Sequence, residues 1–272
     1  MADKLRVELT GVPQTLLWNL YHRAAEARWP DGLLDDPRAV ELVDAIDFPF
    51  ERFGEPAMAQ WHALRVLCFD RAVRRFMTAH PGGTVVALGE GLETQFWRVD
   101  DGRVRWLTVD LPETVEVRRR LLPDDPPRRR TLAGSALDLA WTDEVDADEG
   151  VLISTQGLLM YLQPDEVRSL IAACAERFPG GTLVFDAVPH FMAERSRRGG
   201  MNPGAAYQAP AWHWSLDPGE HRKVLEYSPK ISGVRDLPYP RGRGLLTIAP
   251  LVGRIPLIRK LRMPIVEVRF AA

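Results

Sequence analysis

Two glycines and one carboxylate have the spacing of a cofactor site in this sequence. An apolar segment of strand type, Thr84–Leu88, runs directly into Gly89-Glu90-Gly91, and a second apolar segment, 104–109, ends at Asp110. Glycines let the backbone turn tightly and approach a ligand closely. In a βαβ unit the glycine turn and Asp110 would lie side by side at the carboxyl ends of parallel strands, where an acid binds ribose hydroxyls. The pattern predicts a site for an adenosine-containing cofactor, although a glycine pair after a strand also occurs in ordinary turns.

The charge around the glycine turn indicates which cofactor would bind. Glu93 and Thr94 stand where a dinucleotide fingerprint has its third glycine. Glu90 and Glu93 would repel a pyrophosphate, which binds at a helix amino terminus free of anions. S-adenosylmethionine (SAM) carries a sulfonium and an ammonium and tolerates these acids. The turn therefore favours SAM, and a NAD-dependent dehydrogenase is the disfavoured alternative.

Arg65 is a further residue whose position indicates chemistry. The apolar spacing predicts a helix over 56–79 with Arg65 on its apolar face. No acid lies three or four residues away, and a partly buried guanidinium without an anion is costly. Two interpretations stay open, namely a long-range salt bridge or snorkelling side chain and a clamp on a ligand carboxylate. Arg23 could bind a ligand similarly, but Glu26 favours a local ion pair. The predicted apolar face comprises Met58, Trp61, Cys68, Ala72 and Phe76 around Arg65.

The elements that would position these residues alternate between strands and helices. Apolar runs predict strands, and apolar residues three and four apart predict amphipathic helices. Such alternation is typical of a doubly wound α/β fold with a parallel sheet. The predicted helices are 13–28, 36–46, 56–79, 113–122 and 164–178, and the predicted strands are 84–88, 104–109, 130–133, 151–154, 182–185, 231–234 and 264–270. The last strand alternates apolar residues with Glu267 and Arg269, which predicts an antiparallel edge strand.

The segment from His190 to Pro218 breaks this alternation. It is rich in Trp, His, Pro, Gly and Met, has little periodicity, and includes Tyr207, Trp212 and His213. An insertion after the carboxyl end of a strand is well placed to cover a site there. Its aromatic residues predict a flat, aromatic acceptor molecule.

Composition and charge limit the class of protein. The chain has 272 residues, of which 46% are hydrophobic and 26% charged, values that suit one large globular domain or a domain with a cap. A net charge of -2 favours neither nucleic acid nor an anionic membrane as a partner. We find no opening signal peptide and no apolar run of about 18 residues, so a cytoplasmic protein is expected. The arginine triplets 118–120 and 128–130 are expected to be solvated, and Cys68 and Cys174 to be small core residues.

Three sequence blocks resemble one protein family. They are VVALGEGLETQFWRVD, TVDLPETVEVRRRLLP and VLISTQGLLMYLQPDEVRSLIAACAERFPGGTLVFD. They are similar to successive blocks of the leucine carboxyl methyltransferase family, especially its bacterial polyketide branch, the tetracenomycin-type O-methyltransferases. The similarity runs from about Thr15 to the carboxyl terminus. It implies a class I SAM-dependent methyltransferase fold, with a seven-stranded sheet, a helical N-terminal extension at 1–80, a Rossmann-like SAM-binding core at 81–272 and a cap insertion at about 188–222 before the last two strands.

The resemblance also implies roles for individual residues. Gly89 and Gly91 would pack against the methionyl part of SAM, Asp110 would bind its ribose and Arg65 its carboxylate. Asp138 and Leu139 would frame adenine, although Asp138 could instead be a turn residue. The expected cofactor residues are Arg65, Gly89, Glu90, Gly91, Asp110, Leu111, Leu137, Asp138, Leu139 and Gln156. The expected acceptor residues are Arg23, Tyr161, His190, Tyr207 and Trp212, and no metal is expected.

Two positions depart from the family pattern. Gln156 stands where the family usually has glutamate, and Ala87 where it often has an acid. The ammonium of SAM would therefore have fewer negative contacts unless Glu90 or Glu93 supplies them. The sequence leaves open which of the two acids does so.

The expected reaction is methyl transfer to an oxygen of a small aromatic or polyketide-like acceptor, with S-adenosylhomocysteine as the second product. A carboxylate acceptor is already ionised at neutral pH, whereas a phenol with a pKa of about 10 would need a base or a buried cation. His190 and His213 are the candidate bases. Two alternatives stay open, namely methylation of a protein carboxyl terminus and SAM binding without catalysis.

Overall fold

A mixed sheet of seven strands forms the centre of the protein, as the sequence predicts. The computed structural model describes residues 4–123, 125–199, 209–248 and 262–272. After a short parallel pair, β1 (Leu5–Arg6) and β2 (Ile46–Asp47), the sheet strands are β3 (Thr84–Leu88), β4 (Arg105–Asp110), β5 (Arg129–Ala133), β6 (Val151–Thr155), β7 (Thr182–Asp186), β8 (Ile231–Asp236) and β9 (Ile265–Phe270). Their order across the sheet is β5-β4-β3-β6-β7-β9-β8. Strands β3 to β7 run parallel, and β9 is antiparallel to both β7 and β8.

The five predicted helices are present with slightly different ends, and a further helix, His190–Arg197, lies in a segment where none was predicted. The α-helices of the described residues are α1 (Thr15–Ala27), α2 (Pro37–Ala45), α3 (Ala59–Ala79), α4 (Gln95–Val99), α5 (Pro112–Leu121), α6 (Pro164–Arg177) and α7 (His190–Arg197). Short 3-10 helices occupy Phe50–Phe53, Leu139–Glu144, Leu159–Tyr161, Glu220–Tyr227 and Gly244–Ile248. In the described part of the chain, no helix combines the length and the apolar character that crossing a membrane requires.

Alternate residues of β3 face two separate hydrophobic layers. Val86 and Leu88 lie in a core with residues of α6, whereas Val85 and Ala87 lie in a second core with residues of α3. All five residues of β3 are buried, because helices cover both faces of the sheet. This arrangement confirms the doubly wound α/β fold.

A third core joins the N-terminal helices to the sheet. Residues of α1, α2 and the 3-10 helix Phe50–Phe53 pack together, and Leu92 and Val117 of the sheet region pack against them. The N-terminal helices therefore cover the side of the sheet where the glycine turn lies. The division of the chain into an extension and a core at residue 80 stays a prediction.

The predicted face of α3 is wrong at one end. Met58 precedes the helix as its N-terminal cap residue and is 48% exposed. Farther along the helix, Arg65, Cys68, Ala72 and Phe76 are buried as predicted. Cys68 and Cys174 are unpaired core residues, and burial raises the pKa of each thiol to about 12.

The last strand does not lie at the edge of the sheet. β9 lies between β7 and β8, so the prediction of an edge strand is wrong. Glu267 in this strand is only 5% exposed. Arg235 lies 2.6 Å from one of its oxygens, and Arg75 contacts the other. Two arginines thus compensate the charge of Glu267, which the alternating sequence pattern had placed on a solvated face of an edge strand.

Candidate active site

A cavity of about 280 Å³ lies at the carboxyl ends of the parallel strands, where β3 and β6 are neighbours. The chain leaves β3 toward β4 on one side and later continues from β6 toward β7 on the other. Such a reversal of strand order is a topological switch point, where open α/β sheets bind their ligands. We call this space the switch-point cavity. Its walls come from the glycine turn, the ends of β4 and β6, α1, and Arg65 of α3.

The glycine turn and Asp110 lie next to each other at this cavity, as predicted. Gly89 and Gly91 have φ angles of 64° and 57°, which favour glycine. A Cβ on Gly89 would lie 3.0 Å from Leu158 Cδ1, and one on Gly91 would lie 3.1 Å from Leu16 Cβ. Both positions therefore favour glycine for conformation, and a Cβ at either one would crowd the neighbouring leucine.

Asp110 is fixed by two backbone donors. Its Oδ2 accepts a hydrogen bond from Gly91 N at 2.7 Å, and its Oδ1 accepts one from Leu111 N at 2.8 Å. Burial raises the pKa of Asp110, while the two N–H groups and the nearby Arg118 oppose that shift. The carboxylate therefore holds the glycine turn against the end of β4 and borders the switch-point cavity.

Glu90 points into a buried cluster of arginines. Its Oε2 lies 2.9 Å from Arg118 Nη2 and 3.5 Å from Arg129 Nη2, and it accepts a hydrogen bond from Thr108. Arg118 and Arg129 are each 3% exposed, so the prediction that both arginine triplets are solvated is wrong at these two positions. The charge of Glu90 is thus compensated within the protein.

Glu93 lies in a second buried ion network on the cavity wall. Its Oε1 is 2.9 Å from Arg23 Nη1 and 2.7 Å from Arg98 Nη1. Burial opposes the ionisation of Glu93, but the two arginines outweigh it and lower its pKa to about 2. Its other oxygen accepts a hydrogen bond from Gln156 Nε2 at 3.3 Å. Glu93 therefore stays ionised and is joined directly to Gln156.

Arg23 lines the switch-point cavity, but its guanidinium is already occupied. It donates to Asp36, Glu93 and Thr94 through Nη1 and to the backbone oxygen of Leu92 through Nη2. The expected local pair with Glu26 is not formed, because Glu26 pairs with Arg243 at 3.0 Å. Arg23 thus holds the segment after the glycine turn, and the predicted role in acceptor binding stays a prediction.

Arg65 forms a long-range salt bridge, which was one of the two interpretations, and it also lies on the wall of the cavity, where a ligand carboxylate could reach it. Its Nη1 forms a salt bridge of 2.7 Å with Asp186, which is fully buried at the end of β7. Its Nη2 donates to Asn19 Oδ1 at 3.2 Å, while Nε has no partner within the described residues. Because Arg65 also lines the switch-point cavity, the long-range salt bridge does not remove it from the site.

Several predicted site residues lie outside the described lining of the cavity. Asp138 is exposed and caps the 3-10 helix that follows it, with Oδ1 accepting from Ala140 N at 3.3 Å. Leu139 begins that helix, and the lining in this segment ends at Leu137. Gly134 to Leu137 line the cavity instead of Asp138 and Leu139, and the framing of adenine stays a prediction.

The described part of the cap also differs from expectation. His190 lies on the surface, with its ring nitrogens 2.8 Å from Ser215 Oγ and 2.7 Å from Glu220 Oε2, and it does not line the switch-point cavity. Trp212 is 5% exposed and packs with Met160, Val188 and Ala193 rather than facing the cavity. Tyr207 lies outside the described residues. Tyr161 does line the cavity, as predicted, and burial raises the pKa of its hydroxyl.

Sequence reasoning did not single out the two polar residues that bind the guanidinium of Arg65. Asn19 lies on α1 and lines the cavity beside Arg65. Asp186 compensates Arg65 and accepts a hydrogen bond from Gly157 N at 2.7 Å. The sequence does mark both residues. Asn19 is a polar residue among the apolar residues of α1, and Asp186 is an acid at the end of the apolar strand β7.

Comparisons with known proteins agree with this architecture. A model of the leucine carboxyl methyltransferase family matches residues 17–175. The tetracenomycin polyketide synthesis O-methyltransferase TcmP of Streptomyces glaucescens is 32% identical over 188 residues, which cover 67% of this chain and 68% of that protein. The S-adenosyl-L-methionine-dependent methyltransferase dpfgK of Gibberella zeae is 29% identical, with 68% of this chain and 69% of that protein covered. The crystal structure of a proposed methyltransferase from Thermobifida fusca has a TM-score of 0.56 at 18% identity, covering 93% of this chain and 94% of that one.

With this strand order and these relatives, the protein is a class I SAM-dependent methyltransferase. The chain belongs to the leucine carboxyl methyltransferase family. SAM is the cofactor of this class. The site fits SAM at a buried acceptor atom that receives no hydrogen bond from the described residues. Gln156 Oε1, at the cavity wall, is a buried acceptor without a hydrogen-bond partner in the described residues. An ammonium group has the donors that such an acceptor requires.

Proposed function

We propose that this methyltransferase forms the methyl ester of a small aromatic or polyketide-like carboxylic acid. The observation that carries the proposal is that the described lining of the switch-point cavity contains no histidine and no lysine. A carboxylate acceptor is ionised at neutral pH, so its methylation needs no base. A phenol would need one, and the exposed His190 is not placed to act.

The acids of the cavity are poorly suited to act as that base. Glu93 is held ionised by two arginines, which lower its pKa to about 2. Glu90 is paired with Arg118 and Arg129, and Asp110 accepts two backbone hydrogen bonds. Burial keeps the Tyr161 hydroxyl protonated. Glu90, Glu93 and Tyr161 can position a cofactor and an acceptor, but they have little capacity to take up a proton. Burial raises the pKa of Asp110, but both of its oxygens already accept backbone hydrogen bonds.

The lining supports one orientation of SAM. Asp110 would accept the ribose hydroxyls, with Gly134 to Leu137 beside the adenine. Arg65 and Asn19 would hold the carboxylate of the methionyl part, and Gln156 Oε1 together with Glu93 would accept its ammonium. Glu93 rather than Glu90 would thus supply the negative contact that the family pattern left open, because Gln156 donates a hydrogen bond to Glu93.

The acceptor would lie against the apolar part of the cavity. Val12, Pro13, Leu16, Leu111 and Leu162 contribute this surface. An aromatic ring buries its area there, while the buried walls exclude water from the reacting atoms. The resemblance to TcmP, a polyketide O-methyltransferase, supports an acceptor of this kind.

The protein's contribution to the reaction is positioning. Bound SAM supplies a methyl group on a positively charged sulfur, which leaves as a neutral thioether when the carboxylate oxygen forms the new bond. The two glycines and Arg65 would hold the methionyl part of the cofactor, and Asp110 would hold its ribose. Holding the reactants near attack distance removes much of the entropic barrier, so no residue needs to move a proton.

The test is product analysis with a matched panel of aromatic acids and phenols. Mass spectrometry is expected to find the added methyl group on acids, and mild base is expected to remove it as it cleaves an ester. Asp110→Ala serves as the inactive control. Methylation of phenols without methylation of acids would contradict the proposal.

A further inference from the structure

A second cavity, of about 380 Å³, lies behind the glycine turn. It is bordered by the last turns of α5, by Leu122, Pro123 and Asp125, and by the start of β5, and its charged lining is Arg118, Arg119, Arg129 and Asp125. We call it the arginine cavity. Nothing in the proposed methyl transfer uses it.

The arginine cavity has an excess of positive charge. Three guanidinium groups and one carboxylate line it, and the buried Glu90 behind them is shared by Arg118 and Arg129. Arg129 also contacts Asp125, which accepts a hydrogen bond from Thr131 at 2.9 Å. Three arginines and one aspartate therefore line the cavity, while Glu90 and Asp110 lie behind Arg118.

The arginines are also incompletely hydrogen-bonded. Arg118 Nη2 is ion-paired with Glu90 without hydrogen-bond geometry, and Arg129 Nε has no hydrogen-bond partner among the described residues. Burial and the neighbouring Arg129 lower the pKa of Arg118, although Glu90 opposes this. Arg119 is exposed at the rim and forms no ion pair with any described residue. A buried donor without a partner costs free energy, which an incoming anion would recover.

We propose that the arginine cavity binds a phosphate group, either as free phosphate or as part of a small organic phosphate. Guanidinium groups bind phosphate oxygens through paired, charge-assisted hydrogen bonds. Arg129 is held in place for such contacts by Trp97 and Phe96, whose ring centroids lie 4.6 Å and 5.4 Å from its Cζ. Leu122 and Pro123 add apolar wall against which the organic part of a phosphate ester would pack.

The position of the arginine cavity relates it to the cofactor. Arg118 Nη1 donates a hydrogen bond to the backbone oxygen of Gly91, and Glu90 borders the switch-point cavity. One residue of the glycine turn therefore separates the two cavities. A bound phosphate would contact the side chain that holds this turn.

Calorimetric titration of the whole protein with inorganic phosphate and with phenyl phosphate, at constant ionic strength, tests the proposal. Arg119→Ala is the test variant, and Arg120→Ala, an exposed arginine beside it that does not line the cavity, is the control with the same change of charge. We expect saturable phosphate binding that Arg119→Ala weakens by about tenfold, as for the loss of one charged hydrogen bond. Arg120→Ala should leave it unchanged.

The two ligands distinguish the sources of the phosphate. Tighter binding of phenyl phosphate identifies an organic phosphate as the ligand, and equal binding identifies free phosphate. No saturable binding to the unaltered protein, or equal weakening by Arg119→Ala and Arg120→Ala, overturns the proposal. Folding is not at issue, because both substituted arginines are exposed.

Discussion

Arg65 on α3 and Asp186 at the end of β7 form a buried salt bridge of 2.7 Å, although 121 residues separate them in the sequence. Asp186 is fully buried, and its second oxygen accepts a hydrogen bond from Gly157 N. The salt bridge therefore ties an N-terminal helix to the segment after β6 at the wall of the switch-point cavity. It gives Arg65 a structural role in addition to the proposed contact with the cofactor carboxylate.

Arg65→Ala is expected to lower both stability and SAM affinity. Removing one partner of a buried ion pair leaves the other charge uncompensated, which costs about 3–5 kcal/mol. The double variant Arg65→Ala/Asp186→Asn removes both charges and should recover most of the stability in urea denaturation. Calorimetry should show that it still binds SAM weakly. Recovery of affinity together with stability would remove Arg65 from the cofactor site.

Asp110→Ala is expected to weaken SAM binding by more than about tenfold, because it removes the acceptor of the ribose and of two backbone N–H groups. Asp138→Ala is the matched control, since Asp138 is exposed and caps a 3-10 helix outside the cavity. Its SAM affinity should equal that of the unaltered protein. A large effect of Asp138→Ala would instead support the original assignment of Asp138 to adenine.

Glu93→Gln tests the proposed ammonium contact. The surrounding network keeps Arg23 and Arg98 paired with Asp36 and Asp70, so two cations face two anions when Glu93 loses its charge. We expect a lower melting temperature, because the arginines no longer bind a charged partner, and in the folded protein a SAM affinity about tenfold lower, as for one charge-assisted hydrogen bond. Glu113→Gln, an exposed acid on α5, is the control. Equal affinities in both variants would assign the ammonium to another group.

His190→Ala is expected to leave kcat/KM for an aromatic acid nearly unchanged. The ring of His190 contacts Ser215 and Glu220 on the surface and does not reach the described lining of the cavity. Steady-state kinetics of the purified variant would check this. A large loss of kcat would indicate a base in the reaction and favour a hydroxyl acceptor.

Stability is expected to fall as the pH decreases from about 6.5 to about 4. Burial lowers the pKa of His22 from 6.5 to about 4, and the pKa of the adjacent His62 is lowered further. Because the unfolded chain takes up protons on these histidines in this range and the folded protein does not, acid favours unfolding. The effect of His22 is on the order of 3 kcal/mol. Urea denaturation at several pH values should show it, and His22→Gln should flatten the dependence; an unchanged slope in that variant would contradict the assignment.

The sequence predicted the parts of the site that depend on local pattern. Residue type and spacing predict the glycine turn, the position of Asp110 and the parallel strands, because they determine the local conformation of the backbone. It could not predict that Asp186 compensates Arg65 or that Glu90 lies between Arg118 and Arg129, because these contacts join distant parts of the chain. The place of β9 inside the sheet was missed for the same reason: two distant arginines compensate Glu267.

Two further expectations stay predictions. The described cap residues do not line the cavity, and Tyr207 lies outside the described residues, so an aromatic cap over the acceptor is untested. A cytoplasmic location is likewise an expectation from the sequence alone.

The most direct measurement is a crystal structure of the protein with S-adenosylhomocysteine. We predict that its ribose hydroxyls lie within hydrogen-bond distance of Asp110, its carboxylate at Arg65 and its ammonium at Gln156 Oε1. A cofactor bound in the switch-point cavity with Asp110 and Arg65 turned away from it, or bound elsewhere, would contradict the account.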